Sequence, residues 1–451
     1  MLNFNETQIK AIKSMGNTLV IAGAGSGKTT TIIGKVEYLI INKLYNPEEI
    51  LIISFTNESV NDLKKKIKYS VNIKTFHKLA LDIINDKVHI QNNYLTYIIN
   101  EYFNSYALYH PKTYKLLKII IKKQDIDSLK ILIEAFISVY KSNFNDINKL
   151  FDLYRKSIFI NKIYYKFILD IYLIYQRELD ATSSMDFNDL IVKATNLIKN
   201  KKRKTSYKYI IIDEFQDTSQ MRFNLINEII NQNHGNFFVV GDDYQSIYRF
   251  SGCNLDLFIN FSKEYPDTKL IMLNHNYRNS TNLINIANDF IMKNKKQIKK
   301  EVICHHNLDK PIKIVFYVDK SNVINKVCNM IHGNILILGR YNSDKEKYNL
   351  KENHRFLTIH KAKGLEEDNV VIINLENTIL GFPSKIRNEK ILSFVLKTEY
   401  VIYEEERRLF YVALTRARKY VYLLAPKNNY SIFIKELIRD YRKYLDIIYI
   451  D

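Results

Sequence analysis

The chain has no tryptophan among its 451 residues, and only 3 cysteines, 12 glycines and 6 prolines. So few cysteines in so long a chain build no disulfide framework, which fits a reducing, intracellular compartment. Long apolar runs are also missing. The longest, such as YIIIDEF and NILILG, have strand length, well short of the ~20 residues of a membrane span. The start, MLNFNETQIKAIK, lacks the basic-then-apolar layout of a secretory leader. No internal repeat and no long low-complexity tract is visible. Negative charge is scarce: 48 acidic residues face 67 basic ones, a net charge of +19. Two readings of that excess stand, a polyanionic partner or the coding bias of an AT-rich genome heavy in Ile, Asn, Lys and Tyr. KNKKQIKKE (293–301) reads as a basic, solvated helix end.

What is present is an apolar fraction of 46%, enough to fill real cores. Strand–loop–helix units recur: TLVIA before a Gly-rich loop, EEILIISF before TNESVNDLKKKI, YKYIIID before EFQDTSQMRFNLINEII, and NFFVV before GDDYQ. Such units predict an α/β fold with parallel sheets. From about 80 to 185 the strand signal fades and apolar spacing turns helical, as in IYYKFILDIYLIYQREL. That stretch reads as a helical insertion splitting the first α/β domain. After about 280 a second α/β domain begins, with PIKIVFYV, NILILGR, FLTIH, NVVIINL and KYVYLLA as strand candidates.

AGAGSGKTT (22–30) sits between a strand and a helix. Glycines there let backbone N–H groups turn onto phosphate oxygens, and the helix N-terminus adds a positive dipole. Ala22, Gly23, Ala24, Gly25, Ser26, Gly27, Lys28, Thr29 and Thr30 form the expected nucleotide-binding set. Lys28 reaches the β/γ-phosphates and Thr29 binds Mg²⁺. In YIIIDEFQD (209–217), Asp213 would hold Mg²⁺ through water and Glu214 would orient or deprotonate an attacking water. ATP and Mg²⁺ are therefore the expected cofactors. GDDYQSIYRFSG (241–252) joins two chemistries. Gln245 suits a phosphate, Tyr248 and Phe250 suit flat bases, and Arg249 fits an ion pair or a phosphate equally well. Cys304, His305, His306, Cys328 and His332 match no standard zinc spacing.

At DEFQD and GDDYQSIYRFSG the chain resembles superfamily 1 DNA helicases of the UvrD/Rep type, and further motifs follow in order. FNETQIKAI (4–12) is similar to the adenine-reading motif, with Gln8 as reader. SFTNESVNDLKKKI (54–67) resembles a DNA-contacting motif, which implies Phe55, Thr56 and Asn57 on DNA. KTFHKLA (74–80) implies His77 there too, and MDFNDLI (185–191) returns the chain to the first domain. LNHNYRNS (273–280) implies Tyr277 against adenine and Arg278 on the γ-phosphate. FLTIHKAKGLEEDNVVIIN (356–374) implies His360 near DNA and Glu366 near the ribose. EEERRLFYVALTRARKYVYLL (404–424) implies Arg416 as the second arginine on the γ-phosphate.

The resemblance implies two RecA-like domains: 1A over 1–79 and 186–279, and 2A over 280–451. A helical insertion 1B would occupy 80–185. Only about twenty residues near 341–356 stand where the family carries domain 2B, so 2B is expected to be absent or reduced to a hairpin. Further departures are Thr30 in place of an Arg, Phe250 in place of a Trp, and GLEED without its aromatic. No nuclease constellation follows the last motif. The implied activity is ATP-dependent 3′-to-5′ translocation on single-stranded DNA, with contacts at single-strand/duplex junctions. A monomer without membrane contact, working with replication or repair proteins, is expected. A superfamily 1 motor on RNA and a nucleotide-gated DNA-binding subunit remain the alternatives. Lys122 and Lys123 are candidates for duplex phosphates.

Overall fold

The computed structural model describes residues 3–91, 93–120, 126–144, 146–385, 394–395 and 403–450. Two six-stranded parallel sheets organise it. The first comprises β1 (Thr18–Ala22), β2 (Ile50–Ile53), β3 (Asn72–Lys74), β4 (Tyr209–Ile212), β5 (Asn236–Gly241) and β6 (Lys269–Leu273), in the spatial order β3-β2-β4-β5-β1-β6. The second comprises β7 (Ile312–Tyr317), β8 (Ile335–Gly339), β9 (Phe356–Thr358), β10 (Glu367–Ile372), β11 (Ala417–Pro426) and β12 (Leu445–Ile450), in the order β9-β8-β10-β11-β7-β12. Counted from its own first strand, each sheet has the same order, so two RecA-like α/β domains stand in tandem. The sequence reading found no repeat because the duplication is one of topology. It also passed over β3, β6 and β12, which are short or lie at sheet edges.

The strands read as unbroken apolar runs because helices cover both faces. Along β1, Leu19 and Ile21 enter one core cluster while Val20 and Ala22 enter the cluster behind the sheet. β7 divides likewise, with Ile312, Ile314 and Phe316 on one side and Val315 and Tyr317 on the other. A third core joins helices Tyr94–Tyr109, Ile126–Asn143, Ile147–Lys156 and Phe159–Ala181, from Leu95 to Leu179. Helix Phe76–Ile84 does not belong to it: Phe76, Leu79, Ala80, Ile83 and Ile84 all pack under the first sheet. The division expected at 79/80 falls inside this helix, whose apolar face packs towards the sheet along its whole length. Lys122 and Lys123 fall outside the described residues.

Residues 340–355, between β8 and β9, hold one four-residue helix, Asp344–Lys347, and turns. No β-hairpin forms over these residues. The 293–301 run is not wholly solvated either. Lys300 is buried and paired with Asp242 and with Asp243 at 2.6 Å, and its ammonium lies 3.6 Å from the Tyr244 ring centroid. Lys293 pairs with Glu436 and Asp440. No helix among the described residues is long and apolar enough to cross a membrane.

One loop fastens the two α/β halves together. Tyr244 and Ile247, just after β5, are fully buried in the core of the second sheet. The Tyr244 ring meets Tyr411 edge-on at 5.2 Å, and its hydroxyl donates to Met292 Sδ at 3.0 Å. The loop that separated two chemistries in the sequence is thus a wedge between domains.

Candidate functional site

After β1 the chain turns through Gly25 (φ +68°) and Gly27 (φ +80°) into helix Lys28–Ile41. Both positions lie in the left-handed region that favours glycine. At Gly25 a Cβ would also come within 2.7 Å of Arg278 Cβ. The loop is anchored from the far side: Asn276 Nδ2 donates to Ala24 O at 2.8 Å, and the Tyr277 amide donates to Gly25 O at 2.9 Å. Above it opens a cavity of about 1100 Å³. Ala24 through Thr30 line it, with Gln8, Glu214, Gln245, Tyr277, Arg278, Glu366 and Arg416. Ala22 and Gly23 do not. Ala22 ends the buried strand and Gly23 O accepts from Ser26 Oγ, so both support the loop from below rather than face the cavity.

Gln8 is held in a capping box with Asn5 at the start of helix Glu6–Lys13. Its amide nitrogen lies 2.6 Å from where a Gly27 Cβ would be. The C-terminus of that helix is tied to the phosphate-loop helix by Lys35, whose buried ammonium donates to Ile12 O at 3.0 Å and to Ser14 O. Burial, with Lys269 nearby, pushes Lys35 down to about 7.

Beyond β4, Glu214 adopts φ +50° and accepts Lys28 Nζ at 2.7 Å. Gln216 Nε2 donates to its other oxygen at 2.6 Å. Burial pushes the Glu214 carboxyl up, but Lys28 and Lys363 together outweigh it and hold it well below the usual range. Burial next to Glu214 pushes Asp213 up to about 6. Asp213 and the Thr29 hydroxyl are hard oxygen donors, the class Mg²⁺ takes, and Asp213 feels the Lys28 charge directly. That donor set fits Mg²⁺.

Lys363 is the residue that sequence reasoning missed. It comes from the second domain, is 8% exposed, and pairs with Asp217 and, at 3.4 Å, with Glu214. It also donates to Gln245 O at 2.8 Å. Nothing in HKAKG separates it from Lys361; its partners lie some 120 to 150 residues away.

The second domain supplies the opposite wall. Arg416 is 1% exposed. It donates to Val412 O, to Leu365 O and, through Nη2, to Gln245 Oε1 at 3.1 Å. Burial beside Arg278 pushes it down to about 9. Gln245 Nε2 in turn donates to Asp242 at 2.6 Å. Arg278 Nε pairs with Glu366 at 2.5 Å, and Arg278 Nη1 donates to Thr415 O at 3.3 Å. Arg418 pairs with the other Glu366 oxygen at 2.6 Å. Residues from 8 to 416 thus meet around one cavity.

The residues expected on DNA form two groups. Phe55 packs edge-on against Phe76 at 5.8 Å beneath the Arg222 guanidinium, while Thr56 and Asn57 are exposed where helix Asn57–Lys66 begins. The Thr56 hydroxyl is engaged as the helix cap, accepting from Ser59 N. His77 is half-buried against Phe187 at 4.6 Å, and burial, with Arg222, pushes it down to about 4. In the second group the Tyr248 hydroxyl donates to His360 O at 2.9 Å, tying the wedge loop to the second domain. Phe250 is 57% exposed and stands edge-on to the His360 ring at 5.4 Å. Burial, with Arg340, pushes His360 down to about 4. Arg249 faces inwards, beside Glu405 and Glu404. Among the described residues no three His, Cys, Asp or Glu side chains converge as metal ligands.

Comparison with known proteins agrees with this geometry. The UvrD/REP helicase N-terminal domain matches residues 4–266, and the UvrD-like helicase C-terminal domain matches residues 334–428. The chain is 30% identical to DNA helicase IV of Escherichia coli, over 96% of this chain and 70% of that protein. It is 28% identical to the ATP-dependent DNA helicase Rep of Buchnera aphidicola, over 85% of this chain and 63% of that protein. It is 30% identical to the ATP-dependent DNA helicase PcrA of Staphylococcus epidermidis, over 66% of this chain but only 41% of that protein. With one model covering more than half its length and the first of these relatives 30% identical over 96% of this chain, the chain belongs to the UvrD/REP helicase family.

Proposed function

We propose that this helicase of the UvrD/REP family is an ATP-driven motor that steps 3′ to 5′ along single-stranded DNA. Its class, an ATP-dependent DNA helicase, follows from the family. The observation that carries the motor reading is the make-up of the cavity wall. Lys28 and Glu214 come from the first domain and Arg416 from the second, while Lys363 of the second domain pairs with Glu214 from behind the wall. A triphosphate bound between them would gather cations from both domains, and its hydrolysis would release that grip. This is the usual way nucleotide state becomes domain motion.

The residues divide the work as follows. Loop amides and Lys28 bind the phosphates. Gln8 and Tyr277 receive the base. Thr29 and Asp213 would hold Mg²⁺, which would supply positive charge to the phosphates. Glu214, kept ionised by Lys28 and Lys363, orients the attacking water. Gln245 and Arg416 meet the γ-phosphate, and Arg278 reaches it by leaving Glu366. Domain 1A would span residues to Ile84 and again from about 186 to 279, with 1B between and 2A after. Phe250 would stack a base, with Thr56, Asn57, His77 and His360 along the strand's path. The absence of a folded domain between β8 and β9 favours translocation over processive unwinding. An intracellular monomer meeting replication or repair proteins completes the reading.

Unwinding of 3′-tailed and 5′-tailed duplexes tests direction. Opening of the 3′-tailed substrate alone is expected, and a preference for the 5′ tail would reverse the polarity. ATPase stimulation by poly(dT) but not poly(U) is expected, and equal stimulation would move the substrate to RNA. Phe250→Ala is expected to weaken single-stranded DNA binding by roughly 1–3 kcal/mol, read by fluorescence anisotropy. Unchanged affinity would make Phe250 a bystander.

The raised Asp213 sets a pH dependence. Its neutral form is favoured in the folded protein, so it ionises only as pH rises through about 6, at some cost to stability. Only the ionised form takes Mg²⁺. The Mg²⁺ concentration for half-maximal ATPase should therefore climb as pH falls below 6, by up to about tenfold per unit. A requirement flat from pH 5 to 7.5 would remove Asp213 from the metal site.

A further inference from the structure

At the mouth of the cavity two exposed rings, Tyr277 and His305, lie nearly parallel, with the half-buried His275 ring beside them. Tyr277 and His305 have centroids 5.0 Å apart and planes 8° apart. His275 and His305 are 11° from parallel with centroids 5.2 Å apart. His275 Nδ1 and His305 Nε2 are 3.0 Å apart. That nitrogen distance with that centroid separation means edge-to-edge contact, in which one imidazole donates and the other accepts. The two rings make one flat surface, offset from Tyr277. Such a pair, with each ring spending a nitrogen on the other, is poorly suited to gripping a metal. Parallel, offset rings suit a flat aromatic guest.

The platform is pinned on both sides. Ile303 and Cys304 pair with His275 and Asn276 as a short parallel bridge, and His306 O accepts Thr281 N at 2.9 Å. Asn276 and Tyr277 hold the phosphate loop itself, and Asn5 Nδ2 donates to the Tyr277 hydroxyl at 2.7 Å, next to Gln8. A ring surface fixed to both the phosphate loop and the Gln8 helix lies where a base attached to those phosphates would arrive.

We propose that His305, held in plane by His275, completes the nucleobase subsite by extending the stacking surface of Tyr277, and so sets a preference for purine nucleotides. The inference rests on reading the cavity as the ATP site. His305 reaches that site from the first residues of the second domain, so base recognition would also join the two halves.

The test compares wild type, His305→Ala and His305→Phe in poly(dT)-stimulated hydrolysis of ATP and CTP, with inorganic tripolyphosphate as a competitive inhibitor lacking a base. His305→Ala is expected to raise KM for ATP by roughly 2–10-fold and for CTP by less, with the inhibition constant of tripolyphosphate unchanged. His305→Phe, which keeps a ring, should return KM for ATP to within about twofold. An unchanged KM, an equal loss for tripolyphosphate, or a Phe variant as weak as the Ala variant would overturn the proposal. If wild type hydrolysed neither nucleotide, the ATP-site reading itself would fall. Because His305 is exposed, matching thermal unfolding of the three proteins checks that the fold is intact.

Discussion

Lys28→Ala is expected to lower the DNA-stimulated kcat for ATP by about 10³-fold or more while single-stranded DNA affinity stays within about threefold. The ammonium lies 2.7 Å from Glu214, the carboxylate proposed to orient the attacking water. Removing it takes away a preorganised charge on the β/γ-phosphates and leaves Glu214 held by Lys363 at 3.4 Å and by the Gln216 amide. The fold should survive, because Lys28 stands at the open start of a helix and its side chain lines the cavity rather than a core. The expected DNA contacts, Phe250 and Thr56 among them, belong to other loops. Parallel measurement of steady-state hydrolysis and anisotropy on a labelled oligonucleotide checks both halves. Loss of DNA binding together with a lowered unfolding temperature would refute this division of labour. Glu214→Gln offers an independent check: its amide keeps the shape but loses the charge, so hydrolysis should fall while nucleotide binding persists.

Much of this was legible before any coordinate. β1, β4 and β5 are continuous apolar runs because both faces of each strand are covered, and such runs followed by Gly or acidic residues mark the carboxyl ends where parallel sheets bind ligands. Gly25 and Gly27 were legible because the turn requires them. What escaped had one of two physical causes. Some interactions join residues too distant for any local pattern: Lys363 with Asp217 across 146 positions, and Lys300 with Asp242 across 58. A lysine in a basic run gives no sign that it will be desolvated. Other features depend on direction rather than residue type. Tyr248 was expected to present its ring to a base, yet its hydroxyl is engaged by His360 O, so it joins the domains while Phe250 keeps the more open ring. Helix Phe76–Ile84 showed the same helical spacing as the insertion that follows, and only its packing assigns it to the first sheet.

Arg416→Ala is expected to reduce kcat for ATP by about 10³-fold or more, with KM changed far less, because an arginine brought to a γ-phosphate acts mainly on the transition state. The side chain is fully enclosed, and four acceptors fix its fork: Val412 O, Leu365 O, Gln245 Oε1 and Thr415 Oγ1. Holding a guanidinium so deeply that burial and Arg278 push it down to about 9 costs stability, which an incoming phosphate would offset. Arg416→Ala should thus leave the protein at least as stable without nucleotide, or lower it only through the cavity created. It should also sharply reduce the rise in unfolding temperature on adding a non-hydrolysable ATP analogue. Arg416→Lys should not rescue hydrolysis, since a single ammonium cannot replace the fork that spans Leu365, Gln245 and a phosphate. The contact with Gln245 makes the two residues one unit. Gln245→Ala should lower kcat by about 10²-fold, and the double variant should be no worse than about threefold below Arg416→Ala alone. Strictly additive losses would separate them. A single Arg416→Ala effect below tenfold would mean that closure of the second domain does not complete the site, and the coupling of hydrolysis to stepping would have to run through Lys363.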